Sequence, residues 1–304
     1  MTGLVVAVVG PTATGKSDLG LALAEALDGE VVNADAFQLY RGMDIGTAKL
    51  SVAERRGVPH HQLDVLDVEE DSTVAAYQAA ARADLAEIAR RGKRAVVVGG
   101  SGLYVRALLD ELDFPGTDPA VRARLEERAE HHGTAAVFDE LARRDPTAAE
   151  RIGPRNTRRI VRALEVIEIT GEPYSASLPS ERYAIPAVQL GLELERPVLD
   201  ERIGVRVDRM WDAGLVGEVA RLAPRLGRTA ARAVGYAELL AHLHGESSED
   251  EARAAVTSNT RRLVRRQQSW FRRDTRITWL DAAAPDLLDR ALVEVVAADR
   301  RLDP

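Results

Sequence analysis

Gly10, Gly15, Lys16 and Ser17, within GPTATGKS, hold the full spacing of a phosphate loop: a glycine, four residues, then Gly-Lys-Ser. The residue types match the task. Glycines let the backbone turn until several N–H groups converge on one anion, and the helix that follows adds the positive end of its dipole. Gly10, Pro11, Thr12, Ala13, Thr14, Gly15, Lys16 and Ser17 therefore form a cradle for a di- or triphosphate. Lys16 supplies a compact charge for the outer phosphate, and the Ser17 hydroxyl can complete the shell of a magnesium ion. A second group follows in NADAFQLY, where Asp35 suits acid-base work or the positioning of an acceptor. Its alternative is a turn aspartate that caps Gln38 or a neighbour. Ser101, after Gly99-Gly100, is either a helix N-cap or a hydroxyl turned toward the cleft.

These groups need a frame. Leu4 to Val9 is a short, mostly β-branched apolar run and reads as a buried parallel strand. Lys16 to Leu27 carries leucines at helical spacing and stops before Asp28-Gly29. Glu30 to Asn33 reads as a second strand, which puts Asp35 at a carboxyl end, where open α/β sheets hold their ligands. A helix from Val74 to Arg91, a strand from Ala95 to Val98 and a helix from Ser101 continue the alternation. The expected fold is α/β: a phosphate-loop, doubly wound parallel sheet flanked by helices. Beyond Asp113 only helices are expected (119–132, 134–144 and about 156–170), followed by a linker-like stretch to Pro186. Strand character returns over 187–194 and 277–280, with helices over 197–244, 248–273 and from Pro285. The expected division is a catalytic core of 1–113 and 184–304 with a helical insertion of 114–183.

Composition narrows the class. The chain of 304 residues is 45% hydrophobic and 29% charged, so it reads as a globular protein with no membrane partner. It has no cysteine, which excludes disulfides, thiolate zinc sites and thiol nucleophiles, and agrees with a cytoplasmic setting. The six histidines lack metal-ligand spacing with a nearby acid and read as packed or solvated. A net charge of -7 argues against a nucleic-acid partner until its distribution is considered. Residues 151–162 carry five arginines and no acid, and residues 261–276 carry seven against Asp274 alone. In the second run Arg261, Arg262, Arg265 and Arg266 precede Trp270 and Phe271, a pattern that suits an RNA backbone better than a plain solvated face. From these residues two classes stay open: a small-molecule or nucleoside kinase, and a nucleotide-gated RNA-binding protein.

Taken in order, GPTATGKS, NADAFQLYRGMDIGTAK, VGGSGLY, DPAVRARL, RRIVRALEV, AVGYAE and TRRLVRRQQSWFRR resemble the tRNA dimethylallyltransferase family across nearly the whole chain. The resemblance implies transfer of a dimethylallyl group from dimethylallyl diphosphate to the exocyclic amine of the adenosine beside the tRNA anticodon, with Mg2+; a prenyltransferase acting on free adenine nucleotide is the near alternative, and a monomer is expected. By matching position it makes Asp35, Lys16, Ser17 and Ser101 the reacting-centre residues and Gly10 to Ser17 the donor site. It places Asp35, Ala36, Phe37, Gln38, Ser101, Arg122, Arg158, Arg159, Ile160, Val161, Arg162, Arg232, Ala233, Val234, Gly235, Tyr236 and Ala237 against tRNA, and the α-helical Arg261, Arg265 and Arg266 join them. RIGPRNTRR departs from the Asn-Asp pair that many members carry after the proline.

Overall fold

The computed structural model describes residues 3–177 and 182–302. In chain order the main elements are β1 (Val5–Val9), α1 (Lys16–Ala26), β2 (Gly29–Asn33), β3 (His60–His61), α2 (Val74–Arg90), β4 (Arg94–Gly99) and α3 (Gly102–Leu109). Then come α4 (Pro119–Arg144), α5 (Pro146–Ile152), α6 (Thr157–Thr170), β5 (Ala187–Glu193) and α7 (Arg196–Asp212). The chain finishes with α8 (Leu215–Leu222), α9 (Tyr236–Leu243), α10 (Glu249–Phe271), β6 (Ile277–Asp281) and α11 (Leu287–Leu302). It divides into two compact units, Met1–Leu109 with Tyr183–Pro304, and Asp110–Arg182.

The first unit is built on a parallel sheet ordered β3-β2-β4-β1-β5-β6. Alternation along β1 explains its central place. Val5, Ala7 and Val9 pack on one face with α2 and α3, while Leu4, Val6 and Val8 pack on the other with α1 and α11. Buried on both sides, the strand must be uniformly apolar. The register sets Val9 beside Gly99 and Asn33 beside Val98, so the carboxyl ends of β1, β2 and β4 finish level. From adjacent strands β1 and β4 the chain leaves to opposite faces, to α1 and to α3. In doubly wound sheets such a divergence at the carboxyl ends marks the crevice that takes ligands.

The second unit is helical. Leu125, Val137, Leu141, Ile160 and Leu164 form its centre. Gly133 (φ 79°, ψ 160°) breaks α4 where the sequence places a stop. Asp118, Asp145 and Asn156 each take a backbone N–H at the head of the helix that follows. The short helix α5 and the two-residue β3 lie outside the elements expected from sequence, because neither is long enough to show a period. In the stretch read as a linker, Tyr183 and Ile185 pack against the sheet core, and residues 178–181 lie outside the described residues. Among the described residues no helix is long and apolar enough to cross a membrane.

Candidate active site

The phosphate loop connects β1 to α1. Gly15 (φ +91°) stands at the head of α1, and Ala13 holds a left-handed φ of 67°, a conformation that costs an L-residue about 1 kcal/mol or more. The Pro11 carbonyl accepts the Thr14 hydroxyl at 2.9 Å and the Lys16 ammonium at 2.6 Å. Burial brings the Lys16 pKa down to about 7, against the pull of the Asp35 charge and with the push of Arg206. Lys16, Asp35 and Arg206 thus share one electrostatic neighbourhood.

Asp35 is half-buried just beyond β2. Asn33 sets its backbone: the Asn33 Oδ1 takes the Asp35 N–H at 2.9 Å, while its amide nitrogen donates to the carbonyls of Asp35 and Gln62. One Asp35 carboxylate oxygen accepts the Phe37 N–H at 2.9 Å, which is the turn role expected toward a neighbour of Gln38. The other has no hydrogen-bond partner among the described residues. The turn reading therefore accounts for one oxygen of Asp35, and the second oxygen is left available for an incoming donor. Its charge also reaches the buried phenols of Tyr77 and Tyr104, whose pKa values are raised chiefly by burial.

Ser101 differs from the helix cap expected of it. Its carbonyl takes the amides of Tyr104 and Val105 at the start of α3, but its hydroxyl accepts the Ala36 N–H at 3.2 Å. The hydroxyl ties the end of β4 to the loop that carries Asp35.

Several residues at the site were missed in the sequence. Arg206 lies on the inner face of α7, near Ile203, Val207 and Met210; burial lowers its pKa, and the Asp35 charge opposes this. A lone arginine at helical spacing among apolar residues was the available signal. Glu218 is buried and accepts the amides of Asp44, Ile45 and Gly46 at 2.8–3.1 Å and the Tyr236 hydroxyl at 2.5 Å. That carboxylate fixes the loop whose Thr47 carbonyl takes the Gln38 side-chain amide at 3.1 Å. Gln267, on α10, accepts the Thr12 N–H at 2.9 Å and donates to the Gly100 carbonyl at 3.0 Å.

The residues matched to tRNA contacts separate into two groups. Tyr236 and Ala233 are buried in the core around Tyr40 and Met43, and Ile160 and Val161 in the core of the helical unit, so their side chains are packing groups rather than surface contacts. Arg122 and Arg162 both bond the fully buried Glu165, so these two matched cations already have an acidic partner within the helical unit. Arg261 stands 3.6 Å from Asp200, an acid on α7 that spacing within α10 could not reveal. Arg158, Arg159, Arg232, Arg265 and Arg266 are exposed, with no ion pair or side-chain hydrogen bond among the described residues, and Ala237 is exposed as well. Val234 is half-buried, Gly235 is buried, and Ala36 and Phe37 are half-buried against the two neighbouring cores. His61 also departs from a packed or solvated reading, since its Nε2 meets Glu30 at 2.7 Å.

Among the described residues no group of three or more His, Cys, Asp or Glu is placed to hold a metal ion. Ser17 is half-buried with no hydrogen-bond partner among them, so a divalent ion would be held by that hydroxyl and by the oxygens of a bound phosphate.

Residues 38–274 match the family model described as IPP transferase. The chain is 58% identical over 299 residues to a tRNA dimethylallyltransferase of Thermobifida fusca, covering 96% of this chain and 94% of the relative. It is 53% identical over 304 residues to that of Bifidobacterium longum, covering 98% and 93%. Among solved structures it is similar to the tRNA isopentenylpyrophosphate transferase of Bacillus halodurans, with 38% identity, a TM-score of 0.74 and coverage of 99% and 98%. It is also similar to a eukaryotic dimethylallyltransferase described as acting on tRNA, with 25% identity, a TM-score of 0.82 and coverage of 97% and 77%.

Proposed function

The chain belongs to the IPP transferase family, whose curated relatives are tRNA dimethylallyltransferases, and from that premise we propose how its own residues carry the reaction. It transfers a dimethylallyl group from dimethylallyl diphosphate to the exocyclic amine of the adenosine 3′-adjacent to the anticodon and releases diphosphate. One observation carries this: the phosphate loop and the half-free carboxylate of Asp35 leave the sheet from strand ends that finish level on either side of β4.

The diphosphate sits on the loop amides, with Lys16 and Arg206 opposite its charge. As the carbon–oxygen bond breaks, charge develops on the leaving oxygen, where these cations and amides act most strongly. A magnesium ion held by Ser17 and the diphosphate would add a Lewis acid at the same place. The allylic carbon left behind accepts a weak nucleophile. An adenine amine is too weak an acid for a carboxylate to deprotonate beforehand. The free Asp35 oxygen therefore orients the amine by a hydrogen bond and takes its proton as the new carbon–nitrogen bond forms. Ser101 keeps that carboxylate in place through the Ala36 amide. The base leaves its stack to reach the crevice, which is easier from an anticodon loop than from a duplex. Exposed arginines on α10 and α6 hold the RNA backbone. The protein acts as a monomer in the cytoplasm.

The test is incubation with dimethylallyl diphosphate, magnesium and either unmodified tRNA or free adenosine monophosphate, with ATP as the control donor. Prenylated tRNA is the expected product. Product from the free nucleotide alone, or phosphoryl transfer from ATP, would replace this reading with one of its rivals.

A further inference from the structure

Gln267 is nine per cent exposed and stands on α10, 255 positions from the loop residue that it bonds. Its side-chain amide uses both ends. The oxygen accepts the Thr12 N–H, and the nitrogen donates to the Gly100 carbonyl. On the far side of the same Pro11–Thr12 peptide, the Pro11 carbonyl takes Thr14 and Lys16. A peptide is planar, so holding its N–H fixes the direction of the carbonyl on which Lys16 rests. Gly100 precedes Ser101, whose hydroxyl holds the Ala36 amide next to Asp35.

Close approach explains how a helix residue reaches in. A Cβ on Gly100 would stand 2.4 Å from the Gln267 nitrogen, and one on Gly102 would stand 2.1 Å from the Trp270 ring. Two glycines in GGSG therefore receive two residues of α10 that are three apart and share a face. We propose that Gln267 is a positioning residue: it sets the distance between the diphosphate end of the crevice and the Asp35 end. It touches neither reacting atom. The role rests on the prenyl-transfer function, and it adds a reason why a glutamine sits inside an arginine-rich helix. Arg265 and Arg266 precede it directly, so the helix that carries those exposed cations also holds the loop.

Two variants test this. Gln267→Leu keeps approximate bulk and loses both bonds. It should bind inorganic pyrophosphate about tenfold more weakly and lower kcat about 100-fold, the scale expected when a reacting group is misplaced by about 1 Å, with tRNA affinity unchanged. Gln267→Glu can still accept the Thr12 N–H but sets a carboxylate against the Gly100 carbonyl. Protonation restores the missing donor, so its kcat relative to the parent should climb as pH is lowered from about 8 to about 6. A residue that only packs would give no such recovery, and this second variant carries the test if the leucine chain does not fold. Pyrophosphate binding and turnover within about twofold of the parent for Gln267→Leu would overturn the proposal. So would a loss confined to tRNA affinity, or a Gln267→Glu profile parallel to that of the parent. A parent protein that forms no prenylated product would instead sink the function, while the pyrophosphate comparison would still decide the role of Gln267.

Discussion

Charge is handled in opposite ways at the strand-end crevice and inside the helical unit. In the helical unit Glu165 is fully buried and saturated: Arg122 and Arg162 bond one oxygen, and the Asp118 amide bonds the other. Burial alone would raise its pKa, but those bonds outweigh burial and hold it below the usual carboxylate range. At the crevice the same kinds of group stay apart. Lys16 rests on a carbonyl, Asp35 uses one oxygen on an amide, and Arg206 stands 3.5 Å from a carbonyl, so no cation closes on the acid. Pairing them would stabilise the fold and disarm the site. A frame neutralises its charges, while a binding crevice keeps them for what arrives.

The sharpest way to break that contrast is to delete each acid in turn. Asp35→Ala should lower the transfer rate about 1,000-fold or more while tRNA binding and thermal stability stay near those of the parent. Glu165→Ala should do the reverse. Removing one partner of a buried, bonded charge group costs about 3 kcal/mol or more, so urea unfolding should shift strongly, with the rate of the folded fraction little changed. Equal stability losses in the two variants would erase the distinction.

The next effect is one of pH. Lys16 has its folded pKa lowered to about 7 from 10.5, so between those values the unfolded chain binds more protons and stability rises with pH. A bound diphosphate favours the ammonium and raises its pKa. Donor affinity should therefore be insensitive to Lys16 below pH 7 and weaken by up to about tenfold per unit above it, with proton uptake on binding. Calorimetry at pH 8 in two buffers of different ionisation heat reads that uptake directly, and a value of zero would contradict the assignment. The smallest expected effect concerns the exposed cations. Replacing Arg265 and Arg266 together should flatten the salt dependence of tRNA binding by about one unit of log-log slope for each phosphate left without its cation, whereas Arg122→Ala should leave the slope unchanged because Glu165 already holds that side chain. A slope that responds to Arg122 and not to Arg265 would reverse the division between free and paired arginines.

What the chain reveals by its order of residues is local. GPTATGKS is contiguous, and the strand before it and the helix after it each carry their own period, so the loop, its helix and the strand-end position of Asp35 follow from neighbours in the chain. The pairing of distant groups has no such trace. Glu165 and Arg122 are 43 positions apart, Glu218 meets residues 44–46 from about 170 positions away, and Gln267 lies inside a run whose arginines draw attention from it. Spacing on one helix cannot show that Asp200 of α7 sits beside Arg261 of α10. Ser101 was half legible: a serine after two glycines does begin a helix, but where its hydroxyl turns depends on β2 lying next to β4. Ile160, Val161, Ala233 and Tyr236 show the limit of matching by position, since a motif includes the packing residues that support its contacts.

A crystal structure with an anticodon stem-loop and a non-reacting, sulfur-bridged analogue of the prenyl donor decides the claim that one crevice grips a diphosphate at the loop and steers an amine with Asp35. The diphosphate is expected on the amides of Gly10 to Ser17, with the free Asp35 oxygen about 3 Å from the exocyclic nitrogen of the flipped adenine. An adenine bound elsewhere, with Asp35 holding only the Phe37 amide, would contradict the claim.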